Sequence, residues 1–382
     1  MSNKIVFFIN SLCGGGAERV VSTLLNEFVK DNECYVILME NEISYALDER
    51  IKIICLNEDP NISGIMKFIR LPLIAYKFAK IIKMYKFNQI MSFLNRANYV
   101  NILAKFISKH KAIISERHYT SLAYQGKSLN SLANKFLTKW LYKKANLIIC
   151  VSNLIKQDLE INFGIKSPKI TIYNPYDIKK ISEFATQNAE ICEKSIICIG
   201  RLIKIKNHQM LIRAFSQVDD KEYKLYILGE GNLLKELKNL VKELNLDDRV
   251  VFLGFDNNPY KYLSKAKIFV LSSNSEGFPN VLIEAMICGL PIISTDCKSG
   301  PREILAPNTD INLQLKNDIE LAKFGILTPI NDIDKMTKAI NLMIQDENLR
   351  NQYAKSIATR AMDFDISFIK KQYLANLNVS QK

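Results

Sequence analysis

Glu276 and Glu284 bracket the segment Glu276-Gly277-Phe278-Pro279-Asn280-Val281-Leu282-Ile283-Glu284. A β-branched run, Ile268–Leu271, precedes it, and an amphipathic stretch, Asn280–Cys288, completes it. That order predicts a strand, a loop and a helix. Pro279 suits a first helical turn, where its missing N–H costs nothing. Gly289 followed by Pro291 suits the helix stop. The N–H groups of a first helical turn and the helix dipole attract an anion. Carboxylates on either side of a phosphate site would then accept hydroxyls, one set from a sugar and one from a ribose. Spacing alone equally allows two surface glutamates on an ordinary strand–helix unit.

A second cluster follows the run Ser195–Gly200. Gly200 permits a close turn, and Arg201 and Lys206 come directly after it. Cations at a strand end project toward the crevice where open α/β sheets bind ligands. An Arg and a Lys there would neutralise a diphosphate leaving group, although a solvated basic turn has the same composition. Glycines end other runs. Gly14-Gly15-Gly16 opens a helix, Gly229-Glu230-Gly231 and Gly254-Phe255 end strands, and Ser299-Gly300-Pro301-Arg302-Glu303 follows another. They permit close backbone approach to a ligand, but none is a GxGxxG or GKS/GKT phosphate loop.

Of three histidines, His110, His118 and His208, only His118, in Glu116-Arg117-His118 after a strand end, is placed to matter. Asp332-Ile333-Asp334 and Asp363-Phe364-Asp365 have a metal–nucleotide spacing but lie in helical or tail contexts, so no metal is expected. The stretch KFIRLPLIAYKFAKIIKMYK, residues 67–86, is apolar yet carries six cations and no acid. Lys67, Arg70 and Lys77 share one sector at helical spacing, and Pro72 bends or begins the helix. A basic amphipathic helix suits an anionic lipid or membrane surface. A partly buried helix with solvated lysines would read alike.

The elements that position these residues alternate strand and helix twice. Strands are expected near Ile5–Ile9, Cys34–Met39, Ile51–Leu56, Gln89–Phe93, Ala112–Ser115, Leu147–Val151 and Ile170–Tyr173. A second series runs through Ser195–Gly200, Tyr223–Leu228, Val250–Leu253, Ile268–Leu271 and Ile292–Ser294. Such alternation predicts α/β architecture with doubly wound parallel sheets. The expected division is 1–178, then 190–364, with 365–382 a helix docking back on the first domain. The polar stretch Tyr176–Lys194 reads as a linker. A length of 382 residues suits two cores.

Composition narrows the classes. Eight cysteines include no CxxC pair and sit mostly in apolar runs, which argues against a disulfide scaffold or zinc. The opening MSNKIVFFINSLCGGGAE reads as a first strand rather than an export signal. The net charge of +13 is concentrated early: residues 60–156 hold 17 basic residues and one acid, Glu116. That asymmetry points to a polyanion or an anionic membrane. Nucleic acid is disfavoured, because no recognition motif is present and the charge is interleaved with apolar residues.

Taken together, GGGAER, GRLIKIKNH, LGEGNL, FLGF and EGFPNVLIEAMICGLPIISTD resemble the retaining family-4 glycosyltransferases. Within that family, FLNRANYV, SLANKFLTKWLYKKANLII, LGFDNNPYKYL and CKSGPRE are similar to the α-1,4-N-acetylgalactosaminyltransferases of the bacterial lipid-linked N-glycan pathway. The resemblance implies a GT-B fold, two Rossmann-like domains facing a central cleft and closing on their substrates. It implies Glu276 on the donor sugar and Glu284 on the ribose, with Arg201 and Lys206 on the diphosphate. His118 is the histidine expected near the donor sugar. Gly15, Gly16, Gly200, Gly229, Gly254, Phe255, Gly277, Phe278, Asn280 and Val281 would complete the donor site. Lys67, Arg70 and Lys77 would hold the acceptor's diphosphate. The expected substrates are UDP-N-acetylgalactosamine and a polyprenyl-diphosphate-linked saccharide, with no cofactor, at the inner face of the cytoplasmic membrane. Capsule, O-antigen or lipopolysaccharide enzymes using another UDP-hexose, and UDP-sugar 2-epimerases, share parts of this pattern.

Overall fold

Seven apolar runs in the first half form seven strands: β1 (Lys4–Ile9), β2 (Glu33–Leu38), β3 (Lys52–Cys55), β4 (Gln89–Phe93), β5 (Lys111–Glu116), β6 (Leu147–Cys150) and β7 (Lys169–Thr171). The structure is a computed structural model and describes residues 4–377. The strands form one parallel sheet in the order β3-β2-β1-β4-β5-β6-β7. Helices cover both faces of such a sheet, so its central strands are buried at nearly every position rather than at alternate ones. In β1 only Lys4 is exposed. Strand order reverses between β1 and β4, which places the Gly14–Gly16 loop at the switch point.

The core beneath β1 is aromatic. Phe7 meets Phe28 and Phe93 edge-on, at centroid distances of 6.0 and 5.0 Å. The C-terminal helix Ile366–Asn376 completes it, burying Ile369, Tyr373 and Leu374 in the same cluster. Lys370 pairs with Glu27 at 3.1 Å and Asp31 at 2.8 Å, and the Ile366 N–H donates to the Tyr176 carbonyl at 2.8 Å. This compact unit therefore comprises the chain up to Tyr176 and the segment from Ile366 onward. Residues 378–382 of the segment expected to dock lie outside the described residues.

Asp177–Asp365 forms the second unit. Its strands are β8 (Ser195–Ile199), β9 (Lys224–Leu228), β10 (Val250–Gly254), β11 (Ile268–Leu271), β12 (Ile292–Thr295), β13 (Glu320–Ala322) and β14 (Gly325–Thr328). They are ordered β10-β9-β8-β11-β12-β14-β13, parallel except for the β13–β14 hairpin. Here the order reverses between β8 and β11, whose carboxyl ends carry Arg201 and Glu276.

The stretch Tyr176–Lys194 is not a free linker. It contains the helix Ile178–Ala185, whose N-cap Asp177 accepts the Lys180 N–H at 3.0 Å. Asn258 donates to the Phe184 carbonyl at 3.0 Å and Ser264 to that of Ala185 at 2.6 Å, so the helix belongs to the second unit. Its lysines and glutamate masked a short apolar face. The basic stretch 67–86 also differs from a single helix. One helix spans Gly64–Ile69 and another Leu71–Tyr85, with Pro72 in the latter's first turn. Proline is tolerated there because that turn's N–H groups have no intrahelical acceptor. Among the described residues no helix is long and apolar enough to cross a membrane.

Candidate functional site

In the second unit the loops after β8, β9 and β10 are tied to one another through glycines. The Gly200 N–H donates to the Leu228 carbonyl at 3.0 Å, and the Gly229 N–H donates to the Gly254 carbonyl at 2.7 Å. Gly229 has φ +143°, and a Cβ there would stand 2.1 Å from the Gly200 oxygen. Only glycine allows that approach. The Lys206 side chain runs alongside Gly200, its Cδ 3.6 Å from where a Gly200 Cβ would be.

Lys206 ends on Glu276. Its Nζ donates to Glu276 Oε1 at 2.6 Å, and the Ser273 hydroxyl donates to the same oxygen at 2.6 Å. The loop bearing Glu276 is fixed from both sides. The Ser272 hydroxyl donates to the Lys206 carbonyl at 2.9 Å, and the Asn274 N–H to that of Ile205 at 2.8 Å. The Glu276 N–H donates to the Lys298 carbonyl at 2.8 Å, the Ser299 N–H to that of Glu276 at 2.9 Å, and the Ser299 hydroxyl to that of Gly277 at 2.6 Å. Gly300, at φ +100°, leaves room for Pro279, whose Cδ lies 2.5 Å from a Cβ built there. A cation and a carboxylate are thus held at the carboxyl ends of β8 and β11. That pairing is suited to binding a polyol phosphate.

The expected residues divide on inspection. Arg201 is exposed in the same loop as Lys206, and Phe255 is exposed after β10. Gly277, Asn280 and Val281 are partly exposed around the helix Asn280–Ile287. Pro279 is that helix's N-cap rather than its first residue, so it offers no capping oxygen. Phe278 does not present its ring: it is buried, 5.7 Å from the Phe364 ring centroid, and only its backbone is left for a ligand. Glu284 is 2% exposed within the helix, deeper than a surface glutamate. His208, beside Lys206, has its imidazole pushed down to about 4 by burial and then by the lysine's charge, so it is neutral at pH 7. Both DxD sequences have local uses: Asp332 caps the helix Ile333–Gln345, and Asp363 pairs with Arg360 at 2.7 Å.

The first unit holds the other candidates. Gly15 is the N-cap of the helix Gly16–Phe28, but Glu18 folds back over it, with Oε2 2.1 Å from where a Gly15 Cβ would be. The first turn thus has its own anion, and a phosphate at Gly15 or Gly16 would have to displace it. His118 is half-exposed at the end of β5, its Nδ1 3.8 Å from Glu116 Oε1. Glu116 is fully buried. It accepts the Arg117 and His118 N–H groups at 3.0 and 3.1 Å and the Tyr142 hydroxyl at 2.7 Å, so it fixes the loop that carries His118.

The residues expected at the acceptor's diphosphate are divided between two helices. Lys67 pairs with Glu40 at 3.2 Å on the short helix, and its carbonyl accepts from Arg96 at 3.4 Å. Arg70 is the junction between the two helices, and Lys77 is exposed on the second. The three do not form one stripe on one helix, and Lys67 is already neutralised.

Sequence reasoning missed Ser273 and Glu116. Ser273 offered a faint signal as a hydroxyl three residues before Glu276. Glu116 offered a stronger one, as the lone acid among 17 cations.

Comparison with known proteins places these features. Residues 14–180 match the Glycosyltransferase Family 4 family, and residues 182–360 match Glycosyl transferases group 1. A Campylobacter jejuni N-acetylgalactosamine-N,N'-diacetylbacillosaminyl-diphospho-undecaprenol 4-alpha-N-acetylgalactosaminyltransferase is 40% identical, over 95% of this chain and 96% of its own. A second Campylobacter jejuni enzyme is an alpha-1,4-N-acetyl-D-galactosaminyltransferase acting on GalNAc-alpha-(1->4)-GalNAc-alpha-(1->3)-diNAcBac-PP-undecaprenol. It is 30% identical over 97% of both chains. An Anabaena protein solved with UDP superposes with a TM-score of 0.77 at 21% identity, over 99% of this chain and 100% of that one. The two family matches together span most of the chain, and the 40% identical relative spans 95% of it: the chain belongs to glycosyltransferase family 4 and has the GT-B fold.

Proposed function

We propose that the chain transfers N-acetylgalactosamine, with retention, from UDP-N-acetylgalactosamine to an undecaprenyl-diphosphate-linked saccharide at the inner face of the cytoplasmic membrane. The Lys206–Glu276 pair carries the reading, because it sets a phosphate-binding cation against a hydroxyl-accepting carboxylate. The names of the Campylobacter relatives support the sugar and the lipid-linked acceptor, and the UDP complex of the Anabaena protein supports the nucleotide.

In this reading the donor diphosphate lies against Lys206, Arg201 and the N-terminus of the helix Asn280–Ile287. Glu276 accepts hydroxyls of the donor sugar, Glu284 serves the ribose, and backbone of Gly200, Gly229, Gly254 and Gly277 lines the nucleotide. The bond from the anomeric carbon to the UDP oxygen breaks as the bond to the acceptor oxygen forms on the same face. The acceptor hydroxyl's proton passes to the departing phosphate. The family resemblance assigns His118 to the donor sugar, and Arg70 and Lys77 are assigned to the acceptor's diphosphate. The two cations supply the charge neutralisation, and the expected reaction needs no metal.

The test is a transfer assay with a panel of UDP-sugars and defined polyprenyl-diphosphate saccharides, with and without EDTA. Transfer of N-acetylgalactosamine ahead of other sugars, undiminished by EDTA, is expected. Preference for UDP-glucose or UDP-galactose would overturn the sugar assignment, and UDP release without acceptor would favour an epimerase.

A further inference from the structure

The helix Leu129–Leu141 leaves an apolar row on its outer face. On its inward face Ser131, Thr138 and Leu141 are buried, and Thr138 exchanges a 2.8 Å hydrogen bond with the Tyr99 hydroxyl. That hydroxyl also reaches the Asn134 carbonyl at 3.2 Å. Its outward face is apolar: Leu129, Leu132, Phe136 and Trp140 are 74%, 54%, 68% and 50% exposed. At 3.6 residues per turn these four fall within an arc of about 80°. A surface helix ordinarily buries such a row. Scattered exposed apolar residues need no explanation, but a continuous row ending in a tryptophan does.

Charge identifies what meets this row. Lys127, Lys135, Lys139 and Lys143 are exposed on or beside the helix. Within residues 60–156 the one acid, Glu116, is fully buried. No carboxylate in that span reaches solvent, so a second copy presenting this same face would set lysines against lysines. The neighbouring helix Asn95–Ser108 extends the surface. Lys105 donates to the Lys144 carbonyl at 2.8 Å, which sets the C-terminal ends of the two helices together, and Phe106 is exposed on the neighbouring one.

We propose that the helix Leu129–Leu141 lies in the plane of an anionic phospholipid bilayer, with Leu129, Leu132, Phe136 and Trp140 in the boundary between headgroups and acyl chains. The lysines reach back to the phosphates, as long cationic side chains do at interfaces, and tryptophan favours that depth. The site is separate from the residues assigned to the acceptor's diphosphate, but it gives physical form to the membrane contact on which the proposed function depends.

Trp140 is the only tryptophan in the chain, so its emission reports this helix directly. The full chain is titrated with vesicles of equal parts phosphatidylcholine and phosphatidylglycerol, and with vesicles of phosphatidylcholine alone. On the mixed vesicles the emission shifts to the blue and is quenched by brominated acyl chains, and both effects weaken as salt rises. The double variant Leu132→Ser with Phe136→Ser partitions about tenfold more weakly. It loses transfer to a vesicle-held acceptor but keeps transfer to a short-chain, water-soluble one. Unchanged emission on mixed vesicles, equal partitioning of the variant, or equal shifts on neutral vesicles would each overturn the proposal. So would a shift that follows protein concentration without lipid, which would mark a contact between copies. If Trp140 shifts but no sugar is transferred to either acceptor, the assigned function fails while the docking surface stands.

Discussion

Glu276 and Lys206 neutralise each other across 2.6 Å, with Ser273 on the same carboxylate oxygen. Replacing Glu276 with Ala therefore does two opposite things. Under the proposed function it removes the acceptor for sugar hydroxyls, and it releases Lys206 to meet a diphosphate alone. Steady-state kinetics of Glu276→Ala should show kcat reduced on the order of 100-fold, with the donor KM unchanged or lower. Glu276→Gln, which keeps one acceptor oxygen, should fall between. A large rise in donor KM with kcat intact would show that Glu276 only anchors the lysine. Both residues were legible in the sequence as members of separate motifs. Their pairing was not, because 70 positions separate them and only the switch between β8 and β11 brings them together. The burial of the Phe278 ring was not legible for a related reason: spacing gives a residue's place in a loop but not the side to which it turns.

Secondary-structure elements set the next level, and there the basic stretch 67–86 is the instructive case. The break at Arg70 separates Lys67 from Lys77, and Glu40, brought up from beyond β2, claims Lys67. The double variant Arg70→Ser with Lys77→Ser should raise the KM for the lipid-linked acceptor about tenfold, the loss of one or two charged hydrogen bonds, without changing the UDP-sugar KM. Lys67→Ser should instead leave acceptor KM alone and lower thermal stability, because Glu40 loses its partner. Pro72 announced the second helix. Nothing local announced Glu40, since ion pairs between distant elements leave no periodic trace. The helix Leu129–Leu141 was obscured in another way. Its pattern is plainly amphipathic, but a sequence does not say which face the fold turns inward.

For the whole molecule, two α/β units were legible because the strand–helix alternation stops and starts again. The last two strands of the second sheet were not expected: β13 has three residues, and β13–β14 reverses the parallel rule. The C-terminal helix illustrates a packing claim that pattern supports only in outline: Tyr373 is fully buried in the first unit, near the buried Arg117 guanidinium, which also donates to Asn174 at 2.6 Å. Tyr373→Ala should cost about 3 kcal/mol. Urea unfolding followed by hydrogen exchange should place the loss in the sheet β1–β7 rather than in β8–β14. Equal loss in both would mean that the helix supports the two units alike.

That helix also orders events at the ribosome. The sheet strands of the first unit are all synthesised by Thr171, yet the face of the helix Gly16–Phe28 that packs against the C-terminal helix stays uncovered until Ile366–Asn376 emerges. The whole of Asp177–Asp365 is made in the interval and carries its own core. The second unit is therefore free to finish folding on the nascent chain while the first waits with an apolar groove open, the period in which a chaperone would find it.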